Sequence, residues 1–288
     1  MLGVVFLAWA IPPLVRFLVI DAVWSAPDGA ACRAPGAGAC WAYIWRKAGY
    51  FTYGSYPIDQ RWRVDIVFIV GAILIAWLLI RRAPWRSVAA GLFFIAYPVM
   101  TVLLLRGATT LGLAIVPTDM WGGVLVTLIM ALSGIVFSLP FGVALALGRR
   151  STLPIVRFFS IGFIEIMRGV PMITVLFMAN LMLPLFVPES WAPDRLLRPL
   201  IGVALFASAY MAEVVRGGLQ AIPKGQFEGA MALGLTYPQR MRLIILPQAL
   251  PIVIPGIVNS FIALFKDTTL VAIVGIFDFL RAVDTARL

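Results

Sequence analysis

The sequence is dominated by a succession of continuous apolar runs, most of them about 18–25 residues long, the length that crosses a bilayer as a helix. They lie at residues 2–24, 64–80, 87–105, 121–147, 158–183, 200–215 and 243–265, with a shorter apolar piece at 270–280. Their continuity excludes the alternating segments of about ten residues that build a membrane barrel. Composition agrees: 62% of residues are hydrophobic and 12% charged, with mean hydropathy +0.99. A water-soluble domain is about half apolar and a quarter charged. In lipid every backbone N–H and C=O needs an internal partner, so a helical bundle is expected, with about seven spans.

The polar links set the orientation. Basic residues collect at Arg81, Arg82 and Arg86, at Arg149, Arg150 and Arg157, and at Arg216, Lys224, Arg240 and Arg242. These are alternate links, and their Lys/Arg excess places them in the cytoplasm. The link holding Glu189, Asp194, Arg195 and Arg198 is balanced and falls outside. One stretch runs against this pattern. Residues 25–63 carry Arg33, Arg46, Lys47, Arg61 and Arg63, yet alternation puts them outside; so long a loop constrains orientation less than a short one.

The formal net charge of +10 is accounted for by cytoplasmic loops rather than by a nucleic-acid surface. There is no His, which removes the commonest general base and metal ligand and argues against a hydrolase or metalloenzyme. Cys32 and Cys40 share one Gly/Pro/Ala-rich stretch. They can form a disulfide if that stretch faces an oxidising compartment, or remain two free thiols.

The most informative segment runs from Ala209 to Pro251. Gln226 to Leu233 is helix-forming, Gly234 suits the left-handed residue after a helix, and Thr236 can cap a second short helix over 238–243 with Pro238 in its first turn. Two short helices joined by a glycine turn make a knob able to seat in a partner's groove. Charges at membrane depth are the other candidates: Glu165 with Arg168, and Glu213 with Arg216, each three apart on one helix face and able to neutralise each other. Asn259, Lys266 and Asp267 complete the set of groups that could face an amino acid's two charges, although Lys266 and Asp267 equally suit an outer membrane boundary.

Glu228-Gly229-Ala230 followed by Gly234, with Ile245-Leu246-Pro247 downstream, resembles the EAA loop of ATP-binding-cassette (ABC) importer permeases. Ala212-Glu213, Arg216-Gly217-Gly218, Leu246-Pro247-Gln248-Ala249, Lys266-Asp267-Thr268-Thr269-Leu270 and Ile164 to Pro171 resemble the polar amino acid subfamily. The stretches at 40–43 and 56–63 resemble the N-terminal region of general L-amino acid permeases.

The resemblance implies an all-α bundle of the type I importer kind. It would comprise an N-terminal extension over 1–120 and a permease core over 121–288 with its coupling loop at 216–247. It implies residence in a bacterial inner membrane and import of L-amino acids delivered by a periplasmic binding protein. ATP and Mg would be used by a cytoplasmic ATPase dimer, with no cofactor on this chain, and a second permease subunit, identical or different, would complete the path. Glu228, Gly229, Ala230, Gly234, Leu246 and Pro247 would form the contact that couples the two. Two departures stand out: Gly229 replaces the motif's Ala, and family members continue into one more span after the Lys266-Asp267 words. An ion-coupled secondary transporter and a non-transporting scaffold are the competing expectations.

Overall fold

The computed structural model describes residues 2–80, 82–188 and 193–287; Arg81 and Glu189, used above for orientation, lie outside them. The regular structure among the described residues is helical, with only isolated bridges between extended residues. The helices are α1 (Leu2–Val15), α2 (Trp41–Tyr53), α3 (Arg61–Leu79), α4 (Arg86–Arg106), α5 (Val124–Arg149), α6 (Pro154–Gly169), α7 (Met172–Leu185), α8 (Leu197–Ala221), α9 (Lys224–Ala232), α10 (Tyr237–Arg240), α11 (Leu246–Asp267) and α12 (Phe279–Arg287).

Among the described residues five helices are long and apolar enough to cross a membrane: Ile58–Leu79, α4, α5, α8 and the continuous Tyr237–Ala272. The pair α6 and α7 makes a sixth if taken as one broken span. This lowers the expected seven. The first apolar run is helical over Leu2–Val15 and on through the wider turn Arg16–Ile20, but only Ala8–Ile20 counts as an apolar helix, short of a span, before the chain turns at Asp21. The 270–280 piece is a tight turn followed by the start of α12. The fifth run bends by 109° between α6 and α7. Val170 there is extended (ψ 136°), as a residue preceding proline prefers, so Pro171 ends one helix and starts another.

The centre of the bundle is built on close approaches at small residues, the means by which helices pack in lipid. Gly134 on α5 faces Val203 of α8, and eight residues on Gly142 faces Met211, so α5 and α8 run parallel. α11 lies antiparallel to α8, with Gly218 against Ala249 and Val253, and Gly256 against Val214. Beside this core α3 and α4 form a hairpin, closed where the Tyr97 hydroxyl donates to the Val67 carbonyl at 3.1 Å. Buried Tyr56 donates to Leu105 O at 2.8 Å, and buried Arg63 to Ala114 O at 2.8 Å.

On the outer side α2 packs against the C-terminal segment. Tyr50 meets Phe277 and Phe51 meets Phe279 edge to face, while Gly123 N–H donates to Phe277 O at 2.9 Å. Cys32 and Cys40 are joined by a disulfide in the preceding loop. Large apolar side chains such as Ile69, Ile73, Phe137 and Ile252 remain exposed along the spans, as a lipid-facing surface requires.

Candidate functional site: a hinged inner-face helix and a charged cluster

α8 ends at Ala221, and after the extended Ile222 and Pro223 the chain enters α9. Its C-terminus is closed by paired bonds, Leu235 N–H to Ala230 O at 3.2 Å and Gly234 N–H to Met231 O at 2.9 Å. Gly234 sits at φ +72°, a left-handed position that glycine adopts without penalty. Thr236 then caps α10 in a reciprocal box with Gln239, whose side-chain oxygen accepts the Thr236 N–H at 2.9 Å. Local sequence chemistry therefore writes this turn.

The second helix does not stand apart as expected. α10 runs through one widened turn, Met241–Ile245, directly into α11. Pro247 has no N–H to give, and a wide turn accommodates such a position. The knob is thus one short helix, α9, joined by the Gly234 turn to the inner end of a membrane span.

α9 is anchored on one face and bare on the other. Ala230 is buried and Phe227 half-buried against Leu219, Ile222, Met241, Ile245 and Ala249. Gln248 donates to Gln226 at 3.0 Å, and the Arg150 guanidinium lies 5.2 Å from the centre of the Phe227 ring. Glu228, Gly229, Met231 and Leu233 face outward; Leu246 is half-buried and Pro247 exposed. Two exposed apolar side chains beside a carboxylate suit a protein partner better than bulk water.

Toward the membrane from α9 lies a charged cluster drawn from three helices. Glu213 on α8 is its centre: it accepts from Arg149 of α5 at 2.8 Å and from Arg216 at 2.7 Å, and Arg168 of α6 stands at 3.5 Å. The same Arg149 Nη1 also reaches Glu165 of α6 at 3.0 Å. The two separate pairs expected from spacing are therefore one network. Glu213 pairs with Arg216 as expected, but Glu165 turns to Arg149 and Arg168 to Glu213. Arg149 was visible in the sequence only as a basic residue closing a span, and nothing local to it signals its partners.

Asn259, Lys266 and Asp267 are not part of this network. Val214, next to Glu213, touches Gly256. Asn259 is three residues further along α11, about one turn outward, and Lys266 ten residues further, about 15 Å toward the outer face by helical rise. Asn259 and Lys266 are exposed on this chain and Asp267 half-buried.

A bundle of membrane-crossing helices with a short, partly apolar helix at one end defines a polytopic membrane component. Residues 138–287 match the family described as "Binding-protein-dependent transport system inner membrane component". The chain is 49% identical over 286 residues to the inner membrane amino-acid ABC transporter permease protein YhdY of Escherichia coli (strain K12), covering 99% of this chain and 77% of that protein. It is 40% identical over 344 residues to the glutamate/glutamine/aspartate/asparagine transport system permease protein BztC of Rhodobacter capsulatus, covering 98% of this chain and 79% of that one. A crystal structure of an amino acid ABC transporter with histidines is similar at TM-score 0.50 and 29% identity, covering 57% of this chain and 75% of the other. The chain belongs to the family of inner-membrane permease components of binding-protein-dependent ABC transport systems, and it is a multi-pass inner-membrane protein.

Proposed function

We propose that this chain forms half of the transmembrane path of an importer for polar L-amino acids, driven by ATP hydrolysis on a separate cytoplasmic ATPase pair. The observation that carries this reading is α9: a short helix, bare on one face, locked to the bundle by Phe227 and Ala230 and ended by a left-handed glycine at residue 234. A partner that seats Glu228, Met231 and Leu233 can move α9 as a rigid piece, and the continuous α10–α11 helix carries that displacement into the membrane. Two partner-biased arrangements of one element are what alternating access needs.

The substrate class rests on the names of the relatives, which include transporters of amino acids and, in one case, of glutamate, glutamine, aspartate and asparagine. In this reading a periplasmic binding protein delivers the amino acid, a second permease subunit completes the path, and ATP and Mg stay with the ATPase. Residues 1–120 act as an extension beside a core over 121–288. Asn259 and Lys266, exposed on this chain, would face the path or the second permease.

The test is co-purification with candidate ATPase subunits followed by uptake of labelled glutamate, glutamine and neutral amino acids into proteoliposomes containing the complex and its binding protein. ATP-dependent uptake supports the reading. Uptake driven by an ion gradient without an ATPase overturns it.

A further inference from the structure

At the inner end of α5, α6 and α8 lies a cavity of about 430 Å³ lined by Arg149, Arg150, Arg157, Ile161, Arg216 and Gln220. The preference of cytoplasmic loops for basic residues explains why arginines are on this side. It does not explain why four of them converge on one concavity. The carboxylates nearby, Glu165 and Glu213, are already engaged by Arg149, Arg168 and Arg216. Five arginines against two glutamates leave a local charge of +3. Arg150 is partly occupied, donating to Leu219 O at 3.5 Å and lying over Phe227. Arg157 has no carboxylate partner among the described residues.

The surroundings bear on what would fill this space. Ile161 and Arg157 share one face of α6, four residues apart, and Phe158 is one turn from Ile161. Phe158 is 72% exposed. The cavity therefore has guanidinium forks that match phosphate oxygens and an apolar flank beside them at the level of the inner membrane surface.

The geometry points to a binding site for the phosphate headgroup of an anionic inner-leaflet phospholipid, held by Arg157 with Arg149, Arg150 and Arg216, with an acyl chain running past Ile161 and Phe158. The site uses the orientation of the chain but not its transport role, and the readout below is lipid retention, so it stands or falls separately from the importer reading.

The full chain, purified in mild detergent and exposed to phosphatidylglycerol or phosphatidylcholine, is read by native mass spectrometry. Wild type retains phosphatidylglycerol in preference to phosphatidylcholine. Arg157→Gln lowers that retention about fivefold, the effect of one basic group near a charged lipid surface. Arg157→Lys, which keeps the charge but not the fork, restores part of it, and Arg82→Gln, on a different inner link, leaves it unchanged. Equal retention of the two lipids, or equal losses in Arg82→Gln and Arg157→Gln, overturns the site. Complete displacement of the lipid by millimolar inorganic phosphate assigns the cavity to a soluble anion and overturns the lipid assignment.

Discussion

Arg149, the last residue of α5, donates to Glu213 on the parallel helix α8 at 2.8 Å, across 64 residues of sequence. Glu213 is 13% exposed and faces three guanidiniums, whereas Glu165 is 55% exposed and faces one. Glu213→Gln leaves three partly buried cations without their shared partner and is expected to cost about 1.5–3 kcal/mol. Glu165→Gln removes a solvent-screened contact and is expected to cost less than about 1 kcal/mol. Thermal unfolding of the purified variants in one detergent checks the order, with Glu213→Gln the lower by several degrees.

Gly229 occupies an exposed interior position of α9, and a methyl group there would meet nothing within 4 Å. Glycine in a helix interior costs about 0.5–1 kcal/mol relative to alanine. Gly229→Ala therefore firms the helix without disturbing a contact. Hydrogen exchange of the amides of residues 224–232 should slow by a few-fold, with ATP-dependent uptake retained.

Asp278 caps α12, accepting from the N–H groups of Leu280 and Arg281, and it is fully buried. Burial pushes its carboxyl above the ordinary aspartate value, although the backbone donors pull the other way. With the folded-state pKa raised, the protonated form fits the fold better. Its contribution is fully present below the unfolded aspartate value of about 3.9 and fades as pH rises through the higher folded one. Asp278→Asn keeps a good cap without the charge. The Tm of wild type should fall relative to Asp278→Asn as pH is raised from about 4 toward neutrality.

The Cys32–Cys40 disulfide belongs with an external loop, since disulfides persist in oxidising compartments. In intact cells a membrane-impermeant maleimide should label neither cysteine before reduction and both afterwards. Labelling without reduction would contradict the bond.

The spans were legible because continuous apolar length is a local property: the runs at 64–80, 121–147 and 200–215 lie within α3, α5 and α8 to within a few residues. The Gly234 turn and the Thr236 cap were legible for the same reason, each being specified within a handful of residues. What stayed hidden depends on residues far apart in sequence. Spacing shows that Glu165 can meet Arg168, but only the side-by-side packing of α5, α6 and α8 turns it toward Arg149. The convergence of Arg149, Arg150, Arg157 and Arg216 on one cavity is hidden likewise. The merging of α10 with α11 was masked by Pro247, which locally reads as a break and is absorbed by a widened turn.

In the proposed mechanism Gly234 is the bend through which an ATPase moves the membrane helices. Its φ of +72° is closed to proline, which is fixed near −65°, and its N–H bond to Met231 would be lost as well. The direct measurement is substrate-stimulated ATP hydrolysis by the reconstituted complex with Gly234→Pro, compared with wild type. The expected result is an assembled complex in which stimulation falls at least about tenfold, the equivalent of 1.4 kcal/mol in coupling. Full stimulation in an assembled Gly234→Pro complex would contradict it.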